Sequence, residues 1–148
     1  MSEQQLEPSP SRTLPAATGW KAGAISTVLA LTANLAALAV ATAAGAEMMV
    51  RPAGTTETLT VGALLVIATT VVPLTLGTIL LVIHRGRGPR AWRALAVVGL
   101  AIGLITVIGP LTTTASAGTK TALAFMHVAT GVIWFLAVRR AATQDRPT

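Results

Sequence analysis

The chain contains no cysteine among its 148 residues. That excludes disulfides, thiolate catalysis, Cys-ligated metal, iron–sulfur clusters and S-palmitoylation. Aromatic residues make up only 3% of the chain, three Trp and two Phe, so Ala, Val, Leu, Thr and Gly must do the packing. Charged residues are also few, at 11%, and Asp and Glu together number five. None of those five lies inside a long apolar run, so a carboxylate proton relay of the kind membrane antiporters use has no seat here. No Ser/His/Asp set, His-Glu-x-x-His motif or phosphate-binding glycine loop is present, so enzymatic activity is not expected. Neither a cofactor nor a metal is expected. One intramembrane histidine without Cys or carboxylate neighbours offers too few ligands for a metal, and a bis-histidine haem is disfavoured because His84 lies at the opposite side from His127.

What the chain does have is four apolar runs, about 22–44, 59–83, 94–111 and 121–138. Each is about 18 residues or longer without Asp, Glu, Lys or Arg, the length a helix needs to cross ~30 Å of hydrocarbon. Hydrophobic residues reach 53% and mean hydropathy +0.70, more apolar surface than a water-soluble domain tolerates. The expected fold is all-α, an integral membrane bundle of four transmembrane helices over 20–140. Residues 1–19 and 141–148 are read as tails, the first disordered because Pro8, Pro10 and Pro15 interrupt it and no apolar period runs through it. Ala44-Gly45-Ala46 resembles a signal-peptidase site, but the preceding run is longer than a signal core.

The net charge of +6 is not a nucleic-acid footprint, because the basic residues flank apolar runs rather than share a polar face. Two precede run one, four lie between runs two and three, and three follow run four, so nine of the eleven fall on one side. By the positive-inside rule both termini and the middle loop are cytoplasmic, in the plasma membrane. Arg85, Arg87, Arg90, Arg93, Arg139 and Arg140 are then placed to meet anionic phospholipids. Trp20, Trp92 and Trp134 sit near the same ends, as interfacial indoles would. Trp20-Lys21 and Trp92-Arg93 echo each other, which the same interface rules produce without duplication.

Within the runs, Pro73 predicts a kink, with Thr69 and Thr70 one turn earlier to satisfy the carbonyls it frees. Gly99 and Gly103 stand in G-x-x-x-G spacing and predict close helix packing. Asn34 and His127 are the strongly polar intramembrane side chains. Asn34, Thr69 and Thr70 lie roughly 15 Å from the outer ends of their runs, and His127 roughly 9 Å, with Thr106 near its depth. A polar cluster of Asn34, Thr69, Thr70 and His127 follows. It reads either as interhelical hydrogen bonding or as the lining of a cavity for a small solute or lipid. The outer connection carries Arg51 in Arg51-Pro52-Ala53-Gly54, a turn signal, and is read chiefly as a plain connector.

Gly109-Pro110-Leu111, the Thr/Ser/Ala-rich loop after it, Ala124-Phe125-Met126-His127, Gly131 and Arg51-Pro52-Ala53-Gly54 together resemble a family of small four-span actinobacterial membrane proteins of unknown function. The resemblance covers roughly 20–140. It implies four helices and plasma-membrane residence, draws attention to Arg51 and His127, and supplies no activity. The leading expectation is a structural or accessory subunit, alone, as a homo-oligomer or with a membrane partner; the rival is a small-solute or lipid-binding protein.

Overall fold

The computed structural model describes residues 13–144. The chain is helical almost throughout: α1 (Ala16–Ala43), a short β1 (Met49–Val50) and β2 (Leu59–Thr60), α2 (Ala63–Ile83), a 3-10 turn (His84–Arg87), α3 (Gly88–Ile105), α4 (Ile108–Thr112) and α5 (Ala117–Thr143). Three helical stretches are long and apolar enough to cross a membrane: Ala16–Ala43, Ala63–Thr112 and Ala117–Thr143. The middle stretch, 50 residues, holds two of the four expected runs. It reverses at the 3-10 turn, where Gly88 takes φ 73°, a conformation that favours glycine, and Pro89 opens α3. The indole N–H of Trp92 donates to Leu81 O at 3.0 Å and pins the reversal.

Helix α1 packs against α2 and α5, and α3 packs against α5, whereas α2 and α3 scarcely meet. The four form an arc in the order α2, α1, α5, α3, with a gap between its ends. Small residues make the contacts. The buried face of α1 is Gly19, Ala22, Gly23, Ser26, Ala30 and Asn34, one stripe at helical spacing. At Gly23 any side chain would collide with Thr78 of α2, and a Cβ on Gly103 of α3 would stand 2.8 Å from Gly131 Cα of α5. Large apolar residues face outward: Val28, Val40, Leu64, Val72, Ile105 and Leu136 are all exposed. Small inside and large apolar outside is the pattern of a protein whose solvent is hydrocarbon, where burying apolar surface gives no driving force between helices and close backbone approach replaces it.

Two apolar clusters hold the arc. One, near the reversal, gathers Leu14, Leu74, Leu81, Trp92, Trp134 and Val138. The other, at the opposite end, gathers Met48, Val50, Val61, Val66, Ala122 and Met126. There β1 and β2 pair antiparallel, and Arg51 N and O exchange bonds with Thr114 at 3.0 Å.

Several expectations need correcting. The first helix begins at Ala16, with Leu14 buried and its N–H on Arg85 O at 3.1 Å, so 13–19 are not a loose tail. At the other terminus α5 continues to Thr143 and buries Ala141 and Ala142. The calls on residues 1–12 and 145–148 lie outside the described residues. Trp92 and Trp134 are not interfacial indoles: they are 0% and 4% exposed, and their N–H groups meet backbone carbonyls; Trp20 alone, at 52%, is open. The connection between α1 and α2 carries a short antiparallel hairpin rather than being a plain connector.

A polar layer and a lateral cleft

Three helices contribute to one polar layer between the two apolar clusters. The amide nitrogen of Asn34 donates to Thr70 Oγ1 at 2.9 Å and to Thr130 Oγ1 at 3.0 Å. Each threonine sits four residues from a member of either cluster: Val66–Thr70–Leu74 on α2 and Met126–Thr130–Trp134 on α5. Four residues is about one turn, so the polar residue shares its neighbours' face and fits into the core stripe. Thr130 gives its own proton to Met126 O at 2.8 Å, so toward Asn34 it can only accept, which orients the amide. Asn34 is 3% exposed, and its Oδ1 has no partner among the described residues.

Beside this layer, between α2 and α3, runs a cleft of about 570 Å³. Its walls are α2 from Leu65 to Leu80 and α3 from Leu95 to Thr106; α5 forms its back from Leu123 to Trp134, with Asn34 behind. The ring of Trp134 lies across the cleft toward the reversal, within 2.8 Å of where a Cβ on Gly77 would stand and against Gly99 on the facing helix. Glycine at both positions is what lets one indole bridge two helices that otherwise meet only near the reversal. The wide part of the cleft is apolar. Its polar side chains, Asn34, Thr69, Thr70, Thr106, His127 and Thr130, form a belt across it between Val61, Leu65 and Leu123 on the hairpin side and Trp134 on the other.

The expected cluster is thus divided. Asn34 and Thr70 are bonded to each other. Thr69 is exposed and gives its proton to Leu65 O at 2.7 Å, so it does not serve a carbonyl freed by Pro73; α2 runs through Pro73 as one helix. His127 is half-buried, its Nδ1 2.8 Å from Leu123 O on its own helix, and it lines the cleft without joining the layer. The Arg51 side chain is exposed, and only its backbone is engaged. Gly99 faces Trp134 and Gly103 faces Gly131. Sequence reasoning missed Thr130, Gly77 and the wedge role of Trp134. Thr130 lies nine residues inside run four, about 13.5 Å deep, and depth alone would have grouped it with Asn34 and Thr70. Among the described residues no group of three His, Asp or Glu side chains is placed to hold a metal.

Residues 15–144 match the model of DUF6069, a family of unknown function. The chain belongs to that family. No curated protein and no solved structure matches it. Family membership covers the helices, the hairpin and the cleft alike, and brings no activity with it.

Proposed function

We propose that this is a four-span plasma-membrane protein that binds an apolar or amphiphilic small molecule in the cleft between α2 and α3. The observation that carries the reading is the cleft itself: α2 and α3 scarcely meet and about 570 Å³ stands between them, lined almost wholly by apolar side chains, whereas the space of about 400 Å³ between α1 and α5 is flanked by Lys21 and Arg140. The cleft's size falls within the range of small-molecule sites. Its walls are largely apolar, its polar side chains form one belt across it, and it lies between two helices whose outer faces are built for lipid. An occupant would enter from the bilayer with its apolar part leading past Pro73 and its polar part beside His127.

The four-span topology rests on lengths. As one straight helix, 50 residues would reach about 75 Å, far beyond ~30 Å of hydrocarbon, whereas the 21 residues of α2 reach about 31 Å. With α2 and α3 as separate spans, both termini and the His84–Arg87 turn share the cytoplasmic side, and Arg85, Arg87, Arg90, Arg93, Arg139 and Arg140 meet anionic headgroups there. The absence of native cysteine makes the test clean. Thr55→Cys in the hairpin should react with an impermeant maleimide on intact cells, and Gly86→Cys only after permeabilisation. Equal reactivity of the two would refute the topology.

Binding is tested by extracting the chain in mild detergent and identifying co-purifying small molecules by mass spectrometry. Ile102→Trp, on the cleft wall and exposed, should fill the space and lose them while the bundle stays folded. Identical small-molecule content in both proteins would sink the reading. An accessory role in a larger assembly, without catalysis of its own, is the second reading. Its support is the exposed apolar rim at Leu76, Val98 and Ile102, which also suits a partner's helix. A stoichiometric protein partner that shields this rim favours it; a chain that always purifies alone excludes it.

A further inference from the structure

The hydrogen-bond accounting of the cleft specifies what its occupant must offer. Thr69 and Thr106 are exposed along the polar belt of the cleft, one on each wall. Their hydroxyl protons go to Leu65 O and Ile102 O, each at 2.7 Å. Thr130 gives its proton to Met126 O at 2.8 Å, and Trp134 gives its N–H to Leu95 O at 3.1 Å. The ring of His127 meets Leu123 O through Nδ1. A carbonyl can only accept, so the proton sits on Nδ1, and in the neutral ring Nε2 is an acceptor. Both amide hydrogens of Asn34 are used within the layer, and its Oδ1 is left without a partner at 3% residue exposure.

Apart from the hydroxyl of Thr70, itself buried against Asn34, every polar side chain here has given its protons to the protein. What remains toward the cleft is lone pairs. No Lys or Arg lines it, so an anionic headgroup would be stripped of water without a counter-charge. We propose that the cleft selects a neutral amphiphile whose polar end donates a hydrogen bond, a hydroxyl being the simplest, to the acceptors of Thr69, Thr106 and His127. This deepens the binding reading above and depends on it.

The test uses the full chain in lipid nanodiscs and three diazirine-bearing probes of one chain length: an alkanol, its methyl ether and the matching carboxylate. Cross-linked residues are mapped by mass spectrometry and normalised to the lipid-facing Val28 and Val40 of α1. The alkanol should label the cleft walls roughly three- to tenfold more than the ether, the range one or two net hydrogen bonds supply. The carboxylate should label no better than the ether. In the double variant Thr69→Val, Thr106→Val, which keeps side-chain shape at two exposed positions, the alkanol should fall toward the ether while the ether is unchanged. Equal cleft labelling by all three probes, or a preference for the carboxylate, overturns the donor inference and leaves the binding reading standing. An alkanol preference that survives the double substitution overturns the assignment to these oxygens. No cleft labelling above Val28 and Val40 by any probe removes the binding reading, and this inference with it.

Discussion

Removing Asn34 should harm the bundle less than removing the group it bonds to. Thr130→Val keeps the shape of the side chain but takes away the acceptor of one amide hydrogen at 3.0 Å. The lost interhelical bond is worth ~0.6 kcal/mol in a membrane interior. The stranded N–H adds about 1–3 kcal/mol, so a loss of about 1.5–3.5 kcal/mol is expected. Asn34→Leu breaks two bonds, to Thr70 and Thr130, about 1–2 kcal/mol together. It also removes the orphaned Oδ1, whose burial costs about 1–3 kcal/mol in the native protein. The two effects nearly cancel, and Asn34→Leu should lie within about 1 kcal/mol of the parent. Once Asn34 is gone, Thr130→Val strands nothing, so the double variant should match Asn34→Leu alone. The coupling, the double minus the sum of the singles, is then about −1.5 to −3.5 kcal/mol. Reversible unfolding in mixed micelles with a rising fraction of dodecyl sulfate, followed by tryptophan emission, measures it. Additivity within about 0.5 kcal/mol would refute the reasoning, because it would mean that the three side chains do not act as one layer.

Other consequences are simpler. Gly103→Ala should destabilise by about 1–3 kcal/mol, since its Cβ would press on Gly131 Cα and His127 O, backbone atoms that have nowhere to move; Gly109→Ala, in open space, is the matched control and should be neutral by the same unfolding assay. Ser116 caps α5, its Oγ accepting from Thr119 N at 3.2 Å, so Ser116→Ala should cost about 0.5–2 kcal/mol. Trp92→Phe removes the bond to Leu81 O and part of a fully buried ring; a loss of about 1–3 kcal/mol is expected, with the hairpin end protected as before in hydrogen exchange. Asn34 is the chain's one asparagine, so an isotope-labelled side-chain carbonyl reports it alone in the infrared; the band should sit at the high frequency of an amide oxygen without a hydrogen-bond donor.

The helices were legible because the solvent of their outer faces writes itself as uninterrupted apolar length. Rotation about each helix axis was not. In water the buried face announces itself by contrast with a polar one; here both faces are apolar, and α1 reveals its inner stripe only through the positions of Gly19, Gly23 and Ser26. Without that rotation, Trp92 and Trp134 looked like ring anchors at an interface, when both are wedges held by backbone carbonyls. Thr69 and Thr70 are adjacent in sequence and 100° apart on the helix, so one joins the layer and the other the cleft. The choice between them needs the neighbouring helix. Strands of two residues leave no alternation to read, which hid the hairpin, and α1 began six residues before its apolar run because a helix does not stop where its hydrophobic length does.

The indole of Trp134, resting on glycines from two different helices, narrows the space between α2 and α3 on the side of the reversal. A molecule bound as proposed would leave through the lateral opening between α2 and α3. On that proposal loading and unloading would be exchanges with the surrounding lipid, with rates set by lateral partition and by the local concentration in the bilayer. With that ring wedged between the two helices, reconstitution of the protein should add no ion leak to a proteoliposome.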